Sequence, residues 1–197
     1  MDLYTAFRTA LEAGMPIPEE NWAHIRASLK VRHYHKGDYI IREGEIENHL
    51  SVVATGCVRH YVLKGDEEIS FEFAFEGEFS NSYASFLSRT PSHFFIQALE
   101  EVNLVSIHHD RLQELYEDSA FGERLGRLAT EGYYIYREER ELALLTLTPE
   151  ERYLELISQD PIYVNRIPQK YLASYLNVKP ESLSRIKKRI YGQRDRT

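Results

Sequence analysis

The sequence predicts an α+β protein with a β-rich N-terminal part and a helical C-terminal part. Between about Val31 and Ile107, short runs rich in β-branched and aromatic residues alternate with glycines. Strands of about five residues that recur at roughly ten-residue intervals are typical of an antiparallel sandwich or roll. The segments on either side carry apolar residues at helical spacing instead. The glycines that separate the runs are Gly37, Gly44, Gly56, Gly65 and Gly77.

The first part of the chain, up to about residue 30, is predicted to be helical, because its apolar residues recur at helical spacing. Strands are predicted where β-branched and aromatic residues concentrate. The apolar helical positions are Leu3, Phe7, Leu11, Trp22, Ile25 and Leu29, and the predicted strands span residues 39–41, 50–53, 58–63 and 69–73.

A long helical segment is predicted from about residue 111 to 145. It is interrupted near Asp118, where Ser119 is a suitable N-cap. After that break, apolar residues fall close to a seam with a period of about 3.5 residues. Such a seam fits two arrangements, packing on the protein's own β domain or pairing with the same helix of a second copy. Gly132 on the seam permits close approach of two backbones. The seam consists of Phe121, Leu125, Leu128, Gly132, Ile135 and Leu142.

Charge is distributed unevenly along the chain. The whole sequence has a formal net charge of −7, but residues 165–197 contain nine Lys and Arg against Glu181 and Asp195. That C-terminal segment therefore carries +7 and the remainder −14. Because proteins bind a polyanion by releasing its counterions with Lys and Arg, only the C-terminal segment is suited to approach nucleic acid.

A separate C-terminal domain is predicted to begin at Thr148. Thr148, Pro149 and Glu151 supply an N-cap, a proline at the first helical position and an acidic first turn. The helix that begins there is predicted to end at about Ser158, before the turn-forming residues 159–161.

A helix-turn-helix is predicted at about residues 167–190. Pro168 suits the first turn of a helix that ends near Leu176, and Asn177 tolerates the left-handed backbone of a sharp turn. Small Ala173 permits the two helices to cross closely. A plain helical hairpin shares about half of this pattern. The apolar positions of the motif are Leu172, Leu176, Val178, Leu183, Ile186 and Ile190.

The second helix of this motif exposes polar and basic side chains, and its N-terminal half is expected to enter the major groove of DNA. Arg185 can contact guanine with two hydrogen bonds, Glu181 can accept from cytosine, and serines can contact base or phosphate. Lys187, Lys188 and Arg189 are expected to neutralise phosphates. The predicted DNA-binding residues are Lys179, Glu181, Ser182, Ser184, Arg185, Lys188 and Arg189.

At these residues the sequence resembles the Crp/Fnr superfamily of bacterial regulators. The run Glu181-Ser182-Leu183-Ser184-Arg185 resembles the Glu-x-x-Ser-Arg recognition pattern of the Fnr branch. The resemblance covers nearly the whole chain, because the positions of the turn glycines in the family's cyclic-nucleotide-binding β-roll are also matched. The matching positions are Lys36-Gly37-Asp38, Glu43-Gly44-Glu45, Gly56 and Gly77-Glu78-Phe79.

The resemblance implies a β-roll sensor domain at 1–118, a dimerisation helix and hinge at 119–147, and a helix-turn-helix domain at 148–197. It favours pairing of the long helix in a homodimer, with Leu125, Leu128, Gly132, Ile135 and Leu142 at the interface. The implied partners are double-stranded DNA with a palindromic operator and RNA polymerase. The last domain is expected to be winged-helix-like with a truncated wing, because residues 191–193 are predicted to end the helix before a short basic tail.

The segment that corresponds to the family's phosphate-binding site departs from the family pattern. Cyclic-nucleotide-binding members have a Gly-Glu pair and a later Arg, where this chain has Asn81, Ser82 and Ser92. A buried phosphate without a cation costs several kcal/mol, so we expect no response to cyclic AMP. The alternative is a rebuilt phosphate site that uses Arg89. The predicted effector pocket, whose ligand is unknown, comprises Asn81, Ser82, Arg89 and Ser92.

No cofactor and no metal are expected. The single cysteine, Cys57, excludes an internal disulfide and an iron–sulfur cluster held by several cysteines of one chain. A haem ligand among His33, His35, His108 and His109 is the less favoured alternative.

Other classes of function find less support. An enzyme is not expected, because the sequence has no nucleophile elbow, phosphate-binding glycine loop or zinc-spaced cluster. It has no apolar run long enough to span a membrane and no signal peptide, so a cytoplasmic location away from the membrane is expected. The remaining alternative is an interaction module that has the fold of a regulator without binding DNA.

Overall fold

The computed structural model describes residues 2–159 and 161–194 and has the predicted α+β architecture, with an antiparallel β domain followed by helices. The β-branched and aromatic runs form the strands, and glycines with positive φ occupy the turns between them. The strands are β1 (Leu29–Tyr34), β2 (Tyr39–Ile41), β3 (His49–Thr55), β4 (Val58–Lys64), β5 (Glu67–Ala74), β6 (Phe95–Ala98) and β7 (Val102–His108).

The described strands form two sheets. One is three-stranded with the order β1-β7-β3, and the other is four-stranded with the order β2-β6-β4-β5. In the three-stranded sheet both pairings with β7 are antiparallel, and Val105 lies opposite Val31 on one side and Val52 on the other.

The two faces of the three-stranded sheet belong to different cores, because successive side chains of a strand point to opposite faces. Val52 and Ile107 pack against Phe7 and Trp22 of the N-terminal helices. On the opposite face, Val53 and Leu104 belong to a core that also contains Ile41 and Ile96 of the second sheet. Cys57 is buried, as a small structural thiol.

Helices precede the strands, interrupt them once and make up the C-terminal part of the sequence. They are α1 (Tyr4–Glu12), α2 (Glu19–Ala27), α3 (Tyr83–Ser88), α4 (His109–Asp118), α5 (Ala120–Thr146), α6 (Pro149–Gln159), α7 (Ile162–Arg166), α8 (Gln169–Tyr175) and α9 (Pro180–Arg194).

The chain divides into two compact units. The N-terminal unit contains Met1–His60 and Phe73–Arg137, and the C-terminal unit contains Tyr61–Glu72 and Glu138–Thr197. The hairpin tip between β4 and β5 thus belongs to the same unit as the C-terminal helices. The division predicted from the sequence, at residues 118 and 147, stays a prediction.

Three local signals act as the sequence indicates. Ser119 caps α5, because its Oγ accepts from the backbone N–H of Gly122 at 3.0 Å. Thr148 and Glu151 form a reciprocal capping box, in which Glu151 Oε2 accepts from Thr148 N at 2.8 Å and Thr148 Oγ1 accepts from Glu151 N at 3.3 Å. Asn177 adopts a left-handed backbone with φ of 56°.

Two expectations about element ends are wrong. Leu29 begins β1 opposite Ile107 instead of ending a helix, because pairing with β7 overrides its helical spacing. Helix α9 does not stop at residues 191–193 but continues to Arg194. A single interior glycine such as Gly192 costs a helix only about 1 kcal/mol, which is too little to end it. The end of the predicted basic tail, residues 195–197, lies outside the described residues.

Candidate nucleic-acid interface and effector segment

The turn between α8 and α9 holds the two helices of the C-terminal motif together. Asn177 redirects the chain, and the N–H of Val178 donates to the carbonyl of Ala173 at 2.9 Å. Ala173 is fully buried, so its small side chain permits the close crossing of the two helices. Leu172 and Leu183 are also fully buried and form the centre of this motif.

The outer face of α9 carries the side chains that the sequence assigns to DNA. Glu181, Arg185 and Lys188 recur every three to four residues and are exposed, so they share one face of the helix. Arg185 makes one weak contact with its own helix, from Nε to the carbonyl of Glu181 at 3.4 Å, which leaves most of its donors available. Lys179, Ser184 and Arg189 are also exposed, whereas Ser182 is half-buried.

Two of the predicted DNA contacts have partners inside the protein. Ser184 Oγ donates to the carbonyl of Pro180 at 3.0 Å and bonds Nε2 of Gln169 at 2.5 Å. Arg189 forms a two-pronged ion pair with Glu150. Arg189 must therefore leave an existing partner to neutralise a phosphate. Sequence reasoning did not identify Gln169 or Glu150, because neither stands out in the sequence of its own helix.

Helix α8 is anchored to the β4–β5 hairpin within the C-terminal unit. Ser174 Oγ accepts from the backbone N–H of Ser70 and donates to the carbonyl of Glu68, each at 2.9 Å. Next to it, Arg140 of α5 lies over the ring of Tyr175 and donates to the carbonyl of Phe71. The α8–α9 motif is thus bonded through α8 both to the hairpin and to the end of the long helix.

The long helix α5 leaves part of its predicted seam open. Ile135 is 56% and Leu142 is 54% exposed, and a side chain added at Gly132 would meet nothing within 4 Å. Leu128 is half-buried. Leu125 differs, because it is 4% exposed and packs in the apolar core of the N-terminal unit. Leu145, which the seam prediction omits, is 78% exposed on the same helix.

The four predicted effector residues occupy one segment around α3, but their polar groups do not converge on a common point. Arg89 ends α3 with a left-handed backbone, and its guanidinium donates to the carbonyl of Glu47 at 2.7 Å and to Asn48 Oδ1 at 2.5 Å. Ser92 Oγ donates to the carbonyl of Phe94 at 2.9 Å. Arg89 therefore binds the protein's own backbone.

A buried carboxylate lies next to this segment. Glu47 is 4% exposed, and its carboxylate accepts from the backbone N–H of His49 at 3.0 Å and of Ser82 at 3.4 Å. Burial raises the pKa of Glu47, while these backbone donors oppose that rise. The N–H of Ser82 at the start of α3 thus already has an acidic acceptor. The sequence did not reveal this role, because Glu47 lies 35 residues from Ser82.

Asn81 differs from its neighbours because its side-chain Nδ2 has no hydrogen-bond partner among the described residues, although the residue is only 8% exposed. Buried amide donors in folded proteins are nearly always paired. Among the described residues of this segment, Asn81 thus carries the buried side-chain donor that has no partner.

Two of the four histidines considered as haem ligands lie beside a carboxylate on the surface. His35 Nδ1 is 3.1 Å and His33 Nε2 is 3.2 Å from Glu101 Oε2. The candidate ligand atoms of His33, His35 and Glu101 all lie within 4.8 Å of one another, a spacing that could hold a divalent metal ion. The other two, His108 and His109, are adjacent to Asp110, and His109 Nδ1 is 3.0 Å from its Oδ1.

A comparison with protein families gives a match within the β domain. Residues 31–119 match the family model of the cyclic nucleotide-binding domain. No curated protein sequence is detectably similar to the chain.

Solved structures share the fold of most of the chain. FixK2 from Bradyrhizobium japonicum superposes with a TM-score of 0.71 at 20% identity, over 84% of this chain and 85% of that one. The c-di-GMP responsive global regulator CLP from Xanthomonas campestris gives 0.64 at 19% identity, over 87% and 91%. The catabolite activator protein of Thermus thermophilus gives 0.59 at 20% identity, over 93% and 87%. In the described part of the chain, no helix combines the length and the apolar character needed to cross a membrane.

Proposed function

Because this chain has the fold of the Crp/Fnr transcription regulators, we propose that it is a homodimeric transcription regulator that reads palindromic double-stranded DNA through α9. The observation that carries the proposal is the outer face of α9. Its apolar face is buried against α8, while Glu181, Arg185 and Lys188 are exposed together. A helix of this kind places its N-terminal half in the major groove.

Each exposed group has a distinct task in this proposal. Arg185 donates two hydrogen bonds to the O6 and N7 of guanine, and Glu181 accepts from the amino group of cytosine. Lys179 and Lys188 neutralise phosphates, which positions the helix without reading sequence. Arg189 contributes in the same way once it exchanges Glu150 for a phosphate oxygen. The acidic remainder of the chain keeps the rest of the molecule away from DNA.

The exposed seam of α5 supports the homodimer. Leu128, Gly132, Ile135 and Leu142 recur at spacings that place them on one side of the helix, and Leu145 extends this stripe. An apolar stripe of this length on a soluble protein is typical of an interaction surface. A two-fold axis along α5 relates the two recognition helices, and half-sites of such dimers lie about 34 Å, or one turn of DNA, apart.

We also propose that cyclic AMP is not the effector. Two features of the α3 segment support this: the buried carboxylate of Glu47, which accepts from Ser82 N, and the engagement of Arg89 by backbone carbonyls. A phosphate here would lie beside the buried carboxylate of Glu47, while Arg89 is already bound to backbone carbonyls, which disfavours binding by several kcal/mol. Calorimetric titration of the full chain with cyclic AMP is expected to give no binding heat. Micromolar uptake would contradict this part of the proposal and indicate a rebuilt phosphate site.

The fold also suits a regulator better than an enzyme. Interaction with RNA polymerase and a cytoplasmic location stay predictions. The DNA-binding proposal is tested by selecting bound duplexes from a random pool with the purified full chain. We expect enrichment of a palindrome whose half-sites are centred about one helical turn apart. Binding without any enriched sequence, or no binding, would contradict the assignment of α9 and favour an interaction module that does not read DNA.

A further inference from the structure

A cavity of about 350 Å³ lies in the N-terminal unit, on the helix side of the three-stranded sheet. Leu50 and Ile107 of β3 and β7 form its floor. Helices α1 and α2 form one wall, with Phe7, Leu11 and Ile25. Helix α5 forms another wall through Phe121, Leu125, Ala129 and Tyr133, which recur every four residues.

This cavity is separate from the core between the two sheets. Its floor residue Ile107 belongs to the same apolar cluster as α1 and α2, whereas Val53 and Leu104 belong to the other core. Of the four residues predicted for a phosphate-binding effector pocket, only Asn81 lines the cavity. The cavity therefore does not coincide with the site that the sequence predicts.

The polar side chains of the cavity wall differ in whether they have a hydrogen-bond partner. The hydroxyls of Tyr83 and Thr130 lie 2.7 Å apart, and Thr130 donates to the carbonyl of Gly126 at 2.9 Å. Asn81, in contrast, is more than nine-tenths buried, and its Nδ2 has no partner in the described part of the chain. Leaving a buried donor unpaired is unfavourable. Because Nδ2 is closed to a water-sized molecule in this structure, the side-chain amide of Asn81 must turn towards the cavity to meet an acceptor on a ligand.

The lining favours a neutral ligand. Among the described residues that line the cavity there is no Lys or Arg, and the ionisable Glu20 and His24 are exposed at its edge on α2. Burial raises the pKa of Tyr116 to about 12, so its phenol stays neutral. A carboxylate or phosphate placed beside Asn81 would thus be buried without a cation, which is costly.

We infer that this cavity binds a neutral, mainly apolar small molecule whose single carbonyl or hydroxyl oxygen accepts a hydrogen bond from Asn81 once the side-chain amide turns towards the cavity. A cavity of 150 Å³ holds benzene, so a volume of about 350 Å³ accommodates about 14 non-hydrogen atoms in proportion. The ligand lies against Ala129 and Tyr133 of α5. Its influence on dimerisation or DNA binding rests on the proposed function, but its binding does not.

The test compares two probes that differ mainly in one carbonyl group, benzylacetone and butylbenzene. Trp22 is the only tryptophan of the chain and lies in α2 between the cavity-lining residues Asn21 and Ile25, so its fluorescence reports on occupancy. We expect both probes to bind the full chain, with benzylacetone about fivefold tighter, as one net hydrogen bond between neutral groups provides.

Variants separate the cavity from unspecific uptake of apolar probes. Asn81→Leu is expected to abolish the preference for benzylacetone and retain butylbenzene binding. Ala129→Phe fills the cavity from α5 and is expected to lower the affinity for both probes at least tenfold. Ala143→Phe makes the same change on the same helix away from the cavity lining and is expected to leave both affinities unchanged.

Absence of saturable binding overturns the inference, and so does an unaltered preference in Asn81→Leu. Probe affinity that falls as protein concentration rises also overturns it, because a second copy of the chain would then cover the cavity. The measurement uses no DNA, so a failure of the proposed function leaves its result intact. Probe binding by a protein that selects no DNA would contradict the proposed function alone.

Discussion

The contact between Ser174 and the β4–β5 hairpin gives a prediction whose size follows from the structure. Ser174→Ala removes two hydrogen bonds, each of 2.9 Å, to the backbone of Ser70 and Glu68. Ser70 is 2% exposed, so water cannot readily replace the lost partner. At about 1 kcal/mol for each net hydrogen bond, we expect the free energy of unfolding to fall by about 2 kcal/mol.

The assay is urea unfolding of the full chain, combined with hydrogen exchange of the Ser70 amide. Ser158→Ala is the matched control, because Ser158 is exposed on α6 and donates to the carbonyl of Glu155 within the same helix. We expect this control to lie within about 0.5 kcal/mol of the parent protein. Equal stability of the two variants, with unchanged exchange at Ser70, would refute the structural role assigned to Ser174.

Two further predictions concern protonation and dimerisation. Burial, helped by Arg32, His108 and Lys30, lowers the pKa of His49 to about 4 from 6.5. The neutral ring is thus favoured in the folded state, and stability present above pH 6.5 is lost as the pH falls towards 4. After allowance for screening of a half-buried ring, the variant His49→Gln should avoid about 1 to 2 kcal/mol of that loss, as measured by denaturant titrations at each pH. The control is His93→Gln, at an exposed histidine. If His49→Gln loses stability in acid just as the parent protein does, burial of His49 is not the cause. Ile135→Glu should convert the dimer to monomers in sedimentation analysis, because it places two like charges at the symmetric contact. The control Ile46→Glu changes a residue that is 43% exposed in the N-terminal unit and should leave the dimer intact. Identical sedimentation of the two variants would contradict the proposal that the α5 seam forms the dimer interface.

Local rules made two helix starts and the turn between α8 and α9 predictable. Ser119, Thr148 and Asn177 each act on backbone groups within a few residues, so their sequence context is sufficient to reveal them. The burial of Leu172 and Leu183 follows in the same way from the helical spacing of apolar residues.

Contacts over long sequence separations were not predictable by those rules. Ser174 and Ser70 are 104 residues apart, and nothing in either segment indicates the other. The acidic partner of Ser82 and the cavity beside Asn81 likewise depend on elements that meet only in the folded chain. Leu125 illustrates the limit of periodicity, because the pattern that predicts an interface also fits a residue buried in its own core.

Reading of DNA by α9 is tested most directly by comparing Arg185→Ala and Lys188→Ala in fluorescence anisotropy, on the selected palindrome and on a scrambled duplex across a salt series. Arg185→Ala should weaken binding to the palindrome by about 1 to 3 kcal/mol per half-site and scarcely affect the scrambled duplex. Lys188→Ala should weaken both duplexes alike and reduce the salt dependence by about one counterion per protomer. Unchanged affinity of Arg185→Ala for the palindrome would contradict the proposal that α9 reads DNA sequence.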